Sequence, residues 1–163
     1  MHRGAISTVC GLTAMVLSIS PSAAGKAEDA FLAGLAGSWV GTGSIAGGIN
    51  GPMTCSLTFR QTSAGTHFSG SCNVKGMGGQ SFSGDLAYNE AKHRYEAGSP
   101  GETPVIGAKK GKSVVFVTET DSLAGTGTST MTVSATKISI DTKIDASGMR
   151  DASKSHVSFA RQG

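Results

Sequence analysis

The stretch from Met53 to Val74 constrains this chain more than any other. Met53, Cys55, Leu57 and Phe59 alternate with Thr54, Ser56, Thr58 and Arg60, the period-two pattern of a half-buried strand. Gln61 to Gly65 is a turn, and Phe68, Gly70, Cys72 and Val74 share one face of the returning strand. Pairing Phe59 with Phe68 sets Leu57 opposite Gly70, Met53 opposite Val74 and Cys55 opposite Cys72. Facing residues of an antiparallel pair have the Cα separation that a disulfide needs. Turn, alternation and cysteine positions thus agree on one hairpin closed by a structural Cys55–Cys72 bridge. No Cys-x-x-Cys spacing accompanies them, so a redox role is not expected.

Similar short segments recur along the chain with hairpin-length connections. They run Ser38–Ile45, Met53–Arg60, Thr66–Val74, Gln80–Tyr88, His93–Ala97, Pro104–Ala108, Ser113–Glu119, Ser129–Ala135, Lys137–Asp145 and Lys154–Arg161. Phe82, Gly84, Leu86 and Tyr88 align on one face, and the same pairing logic sets Leu86 opposite Tyr95. Val114 to Val117 is the densest apolar run, and Thr120–Thr128 is expected to be a longer Gly/Thr loop. Few connections are long enough for Greek-key crossovers. The pattern predicts an all-β domain, a single antiparallel up-and-down (meander) β-barrel of about ten strands. With 24 glycines and only 6% aromatic residues, its core must rest on Val, Ile, Leu, Met and a few Phe.

The ends of the chain divide it into three parts. Residues 1–24 have the form of a signal peptide: a basic His2-Arg3 start, an apolar Ala5–Ile19 run, and Pro21-Ser22-Ala23-Ala24 before a cut at Gly25. The run is too short for a membrane span and is broken by Ser18, Ser20 and Pro21. Residues 25–36 form a lead with one or two helical turns, Phe31, Leu32 and Leu35 on one side, and serve as a lid over the closed end. Residues 37–163 form the barrel. Removing the leader takes Arg3 and Cys10, leaving 13 basic and 11 acidic side chains, a formal charge of +2. An even pair of cysteines fits an oxidising compartment, so the protein is expected to be periplasmic or secreted. Lys109-Lys110-Gly111-Lys112 is a solvated hairpin turn with no interleaved aromatics, and no nucleic-acid partner is expected.

Gly37-Ser38-Trp39 follows the helical turn, and Arg161 ends the last strand on the face of Phe159. In these features the chain resembles the calycins, the lipocalin-like superfamily of small binding barrels. Met77–Gly84, followed by Tyr88 and Tyr95, is similar to bacterial lipocalin-like domains of unknown function. The resemblance implies a structural pair in which Arg161 packs over Trp39 as a cation–π contact. It implies a binding role and brings no catalytic residues.

Within the calycin-like barrels the nitrobindin branch binds haem through a histidine near the C-terminus, for which His156 is the candidate. His156 alternates away from Val157 and Phe159, and Lys154 stands where that ligand belongs, so haem is disfavoured and no cofactor is expected. His67 alternates away from Phe68, and His93 sits beside a turn. No metal site is expected: Asp141, Asp145 and Asp151 do not fit a calcium loop. Gly111-Lys112-Ser113 lacks the upstream glycine and following helix of a phosphate loop, and no Gly-x-Ser-x-Gly elbow occurs. The expectation is a binding protein rather than an enzyme, with a small apolar or amphipathic ligand in the barrel interior. Its lining is expected to be Met53, Leu57, Phe59, Phe68, Phe82, Leu86, Tyr88, Val115, Val117, Met131, Ile138 and Ile140, with Gly70 and Gly84 leaving room. Two alternatives stand beside it. One is a protease-inhibitor-like barrel that inserts Gly25–Asp29 into a partner's cleft. The other is a structural envelope protein whose core is packed solid.

Overall fold

The computed structural model of the chain describes residues 23–48, 50–122, 125–148 and 151–163. The leader reading therefore falls almost entirely outside the described residues. One helix, α1 (Ala23–Gly34), precedes ten strands among the described residues. These are β1 (Gly37–Ala46), β2 (Gly51–Thr62), β3 (Gly65–Val74), β4 (Gly78–Asn89), β5 (Arg94–Gly98), β6 (Val105–Lys110), β7 (Ser113–Ser122), β8 (Gly125–Ser134), β9 (Ile138–Ala146) and β10 (Ser153–Arg161). Each strand pairs with its neighbour in sequence, and β10 returns to β1 to close the barrel. Every pairing is antiparallel. This is the expected up-and-down barrel.

The β2–β3 register is the one the sequence predicts: Phe59 faces Phe68, Leu57 faces Gly70, Cys55 faces Cys72 and Met53 faces Val74. Cys55 and Cys72 form the disulfide, with Cα atoms 4.1 Å apart. Three expectations need correction. Leu86 faces Ala97, and it is Tyr88 that faces Tyr95. The turn there is a tight 3-10 turn, Glu90–Lys92, capped by the Asn89 side chain and by His93 in the left-handed region (φ 50°). Arg94 consequently pairs back with Asn89 and shifts the register by two residues. The long Thr120–Thr128 loop does not exist. β7 runs to Ser122 and β8 starts at Gly125, because the β-branched threonines of both segments suit a pleated surface once neighbours supply ladder hydrogen bonds. Helix α1 has twelve residues, longer than the one or two turns expected; its alanines are strong helix formers.

A barrel this poor in aromatics fills its interior by a recurring device. On the inward face Phe159 lies opposite Gly41, Phe82 opposite Gly70, Phe68 opposite Gly84, and Phe116 opposite Gly107. In each pair the ring occupies the space a glycine side chain would need, and a Cβ at Gly41 or Gly70 would come within 2.7 Å of it. Gly70 and Gly84 therefore leave no room for a ligand; their partners' rings fill it. Gly107→Ala is the sharpest test, since its Cβ would meet the Phe116 ring at 2.5 Å and Val114 Cγ1 at 2.7 Å. Overpacking of this kind costs about 1–3 kcal/mol. A denaturant midpoint unchanged by Gly107→Ala would show that the ring is free to move aside.

Helix α1 covers one end of the barrel. Leu32 and Leu35 are buried, and Phe31 meets Tyr95 edge-on with ring centroids 5.6 Å apart. The Thr66 hydroxyl donates to the Leu32 carbonyl at 3.3 Å, and Trp39 Nε1 donates to the Leu35 carbonyl at 3.1 Å. Buried Glu28 accepts from the Tyr95 hydroxyl and from Lys109 Nζ, so its charge is paired rather than stranded. The Arg161 guanidinium sits 4.8 Å from the centroid of the Trp39 ring and donates to the carbonyls of Ala36 and Gly34. One side chain from the last strand thus ties the end of α1 to the start of β1.

Candidate functional site

The interior divides into two halves. Towards α1 it is solid: Leu57, Phe59, Leu86, Tyr95, Val114, Phe116, Val133, Ile138, Val157 and Phe159 are all buried. Most side chains expected to line a cavity belong to this packing. Leu57, Phe59, Leu86 and Ile138 are buried within it, and Met53, Phe68, Phe82, Tyr88, Met131 and Ile140 pack against it while partly buried. Val115 and Val117 are the exceptions. They lie on the outer face, Val117 half exposed, and Val114 and Phe116 point inward instead. The two-residue turn decides this parity. Gly111, at φ 61°, lets Lys110 pair with Ser113, which sets Gly107 against Phe116 on the core side.

At the far end, away from α1, the barrel opens. The ends of β7, β8 and β9 form a recess of about 400 Å³ there. Thr118 and Thr120 of β7, Gly125, Gly127 and Ser129 of β8, and Thr142, Ile144 and Ala146 of β9 continue the inward-facing rows of those strands into its wall. Ile144 stands directly across from Gly127, and Ser129 across from Thr142, with their hydroxyls 3.2 Å apart. The wall is apolar at Ile144 and Ala146, lightly polar at the threonines, and carries no charged side chain. Gly127 keeps the floor low. Nothing but the Lys143 carbonyl, at 3.6 Å, stands near the position of a Cβ there.

None of the residues expected to line a ligand lines this recess. Its residues were hidden because hydroxyl and glycine side chains carry little hydropathy signal. The signal that could have revealed them is the alternation itself: Gly125, Gly127, Ser129, Met131 and Val133 form one unbroken row.

The two histidine–carboxylate pairs lie on the outer surface of the barrel. His156 faces out from β10 with Nδ1 2.7 Å from Asp141 Oδ1 on β9, and His67 pairs with Asp85 at 2.8 Å across β3 and β4. Glu96 is held below the usual carboxylate range, first by hydrogen bonding from Arg94 and then from Asn89. Two grooves on the outer surface of β2–β4, of about 460 and 530 Å³, are lined mainly by serine, threonine, asparagine and glycine. They are more open to solvent than the mouth. Among the described residues no three His, Cys, Asp or Glu side chains converge as metal ligands, and no helix is long and apolar enough to cross a membrane.

No protein-family model matches the chain, and no curated protein matches it. Solved structures do share its shape. The S-type phycobiliprotein lyase CPES from Guillardia theta superposes with a TM-score of 0.58 at 11% identity, over 88% of this chain and 99% of that one. Rv2717c from M. tuberculosis superposes with a TM-score of 0.52 at 12% identity, over 88% of this chain and all of the other. At such identities the likeness is one of fold, and that fold is a closed ten-stranded antiparallel up-and-down barrel.

Proposed function

We propose that this protein is an exported binding barrel of the bacterial lipocalin-like kind, which holds a small, uncharged, apolar or amphipathic ligand at its open mouth. The observation that carries the reading is the recess of about 400 Å³ formed by the ends of β7–β9. It falls in the size range of small-molecule sites, and few polar groups set in an apolar wall are what such sites present. A charged ligand would find no counter-charge there. The Cys55–Cys72 bridge supports an oxidising compartment, and the barrel shape shared with a phycobiliprotein lyase supports a role in handling another molecule. The role proposed is binding without catalysis or a resident cofactor.

The solid half of the interior gives the envelope-protein reading its due, but that reading leaves the mouth unused. The inhibitor reading has less support. Gly25–Asp29 lies within α1, and both Gly25 and Glu28 are buried rather than projecting towards a partner.

Gly127→Phe tests the mouth directly. The ring has open space to enter, so stability is expected to change little while the recess fills. Native mass spectrometry of protein purified gently from its producing cells should show an added mass that is lost on denaturation. In Gly127→Phe the bound fraction should correspond to affinity weakened by about tenfold or more, equivalent to about 1.4 kcal/mol. Equal ligand on both proteins would place the site elsewhere, and bare protein in both cases would remove the binding reading.

A further inference from the structure

Gly25 is buried near the start of α1. The Glu90 carboxylate occupies the place where a side chain at Gly25 would go; a Cβ there would overlap Oε1 and come within 2.8 Å of Cδ. Glu90 opens the 3-10 turn between β4 and β5, and among the described residues no basic side chain forms an ion pair with it. The acidic residues of α1 supply a second, separate observation. Helix Ala23–Gly34 has none in its first turn. In a helix beginning at Gly25, Glu28 and Asp29 would fall there, where the positive end of the helix dipole favours them.

We propose that removal of residues 1–24 creates a binding site for the new amino terminus, in which the α-ammonium of Gly25 pairs with the Glu90 carboxylate and pins α1 over the closed end. The step is hydrolysis of the Ala24–Gly25 peptide bond by a signal peptidase. Water supplies the oxygen of the new Ala24 carboxylate, and the Gly25 nitrogen leaves as an amine that takes up a proton. Lys26, the neighbouring cation, is exposed. A side chain at position 25 would have to push aside the carboxylate that receives the terminus. The inference takes the position of the cut from the export reading, and the test separates the two.

Four purified proteins decide the pairing: the chain starting at Gly25 and the chain starting at Met-Ala24-Gly25, each with Glu90 or Glu90→Gln. In the chain starting at Gly25, Glu90→Gln should lower Tm by about 2–4 °C, the shift that about 1 kcal/mol produces in a domain of this size. It should also speed exchange of the α1 amides about fivefold. In the extended chain both effects should be absent. Equal losses in the two backgrounds overturn the pairing. Amino-terminal sequencing of protein recovered from its producing cells tests the cut: Gly25 is expected, and any other first residue overturns the processing step together with the export reading behind it.

Discussion

Trp39→Ala is expected to destabilise the protein by about 3–5 kcal/mol, as removal of a fully packed aromatic side chain does. Trp39 is 1% exposed, meets Phe59 edge-on at 6.5 Å, donates to the Leu35 carbonyl and carries the Arg161 guanidinium over its ring. Alanine leaves a cavity at the closed end and removes the stacking surface for Arg161. It also removes the donor that holds the last turn of α1. In thermal denaturation the loss should appear as a fall in Tm of roughly 10 °C or more. Because Trp39 and Arg161 share one contact, the double variant with Arg161→Ala should cost less than the two single losses added together. A loss under about 1 kcal/mol for Trp39→Ala would mean that the closed end is held by the strands alone.

The second large effect concerns the disulfide. Replacing Cys55 and Cys72 together by alanine should cost about 3 kcal/mol, because the bridge closes a short loop and restricts the unfolded chain. The two residues are 17 apart in sequence and already face each other across β2 and β3. β2 and β3 also pair on both sides of the bridge, so far-ultraviolet circular dichroism of the variant at low temperature should match the parent. The wild-type protein unfolded in the presence of a strong reductant should reproduce the variant's denaturant midpoint. A variant as stable as the bridged protein would show that the unfolded chain keeps this hairpin formed without the bond.

Legibility in this chain followed parity. Where one side of a strand is apolar and the other hydroxylated, as at Met53–Arg60 or Ile138–Asp145, the inward face is plain from the residues. The cysteines then left a single register for β2 and β3. Val114–Val117 has apolar residues at four successive positions and so carries no parity of its own. Its face is decided by the Gly111-Lys112 turn and by the need of Phe116 for a glycine across the strand gap. The mouth was the least legible part. Thr118, Thr120, Gly127 and Ser129 have the composition of a loop, and only the pairing of β7 with β8 and of β8 with β9 makes strands of them. The contact between Arg161 and Trp39 was expected from the resemblance, and the pairing of β1 with β10 is what brings the two residues together.

The seam between β1 and β10 has a consequence for how the chain reaches its folded state. Nine of the ten strand pairings join consecutive segments and can form as each hairpin leaves the ribosome. The tenth cannot form until Arg161, at the end of β10, is available to face Trp39. Until then β1 presents an open edge, α1 lacks the guanidinium that holds its last carbonyls, and the hairpins have no closed interior to share. Closure is thus a late, all-or-none event with a large loop-closure cost. A polypeptide with this wiring cannot lock into its closed form until its last strand has been made.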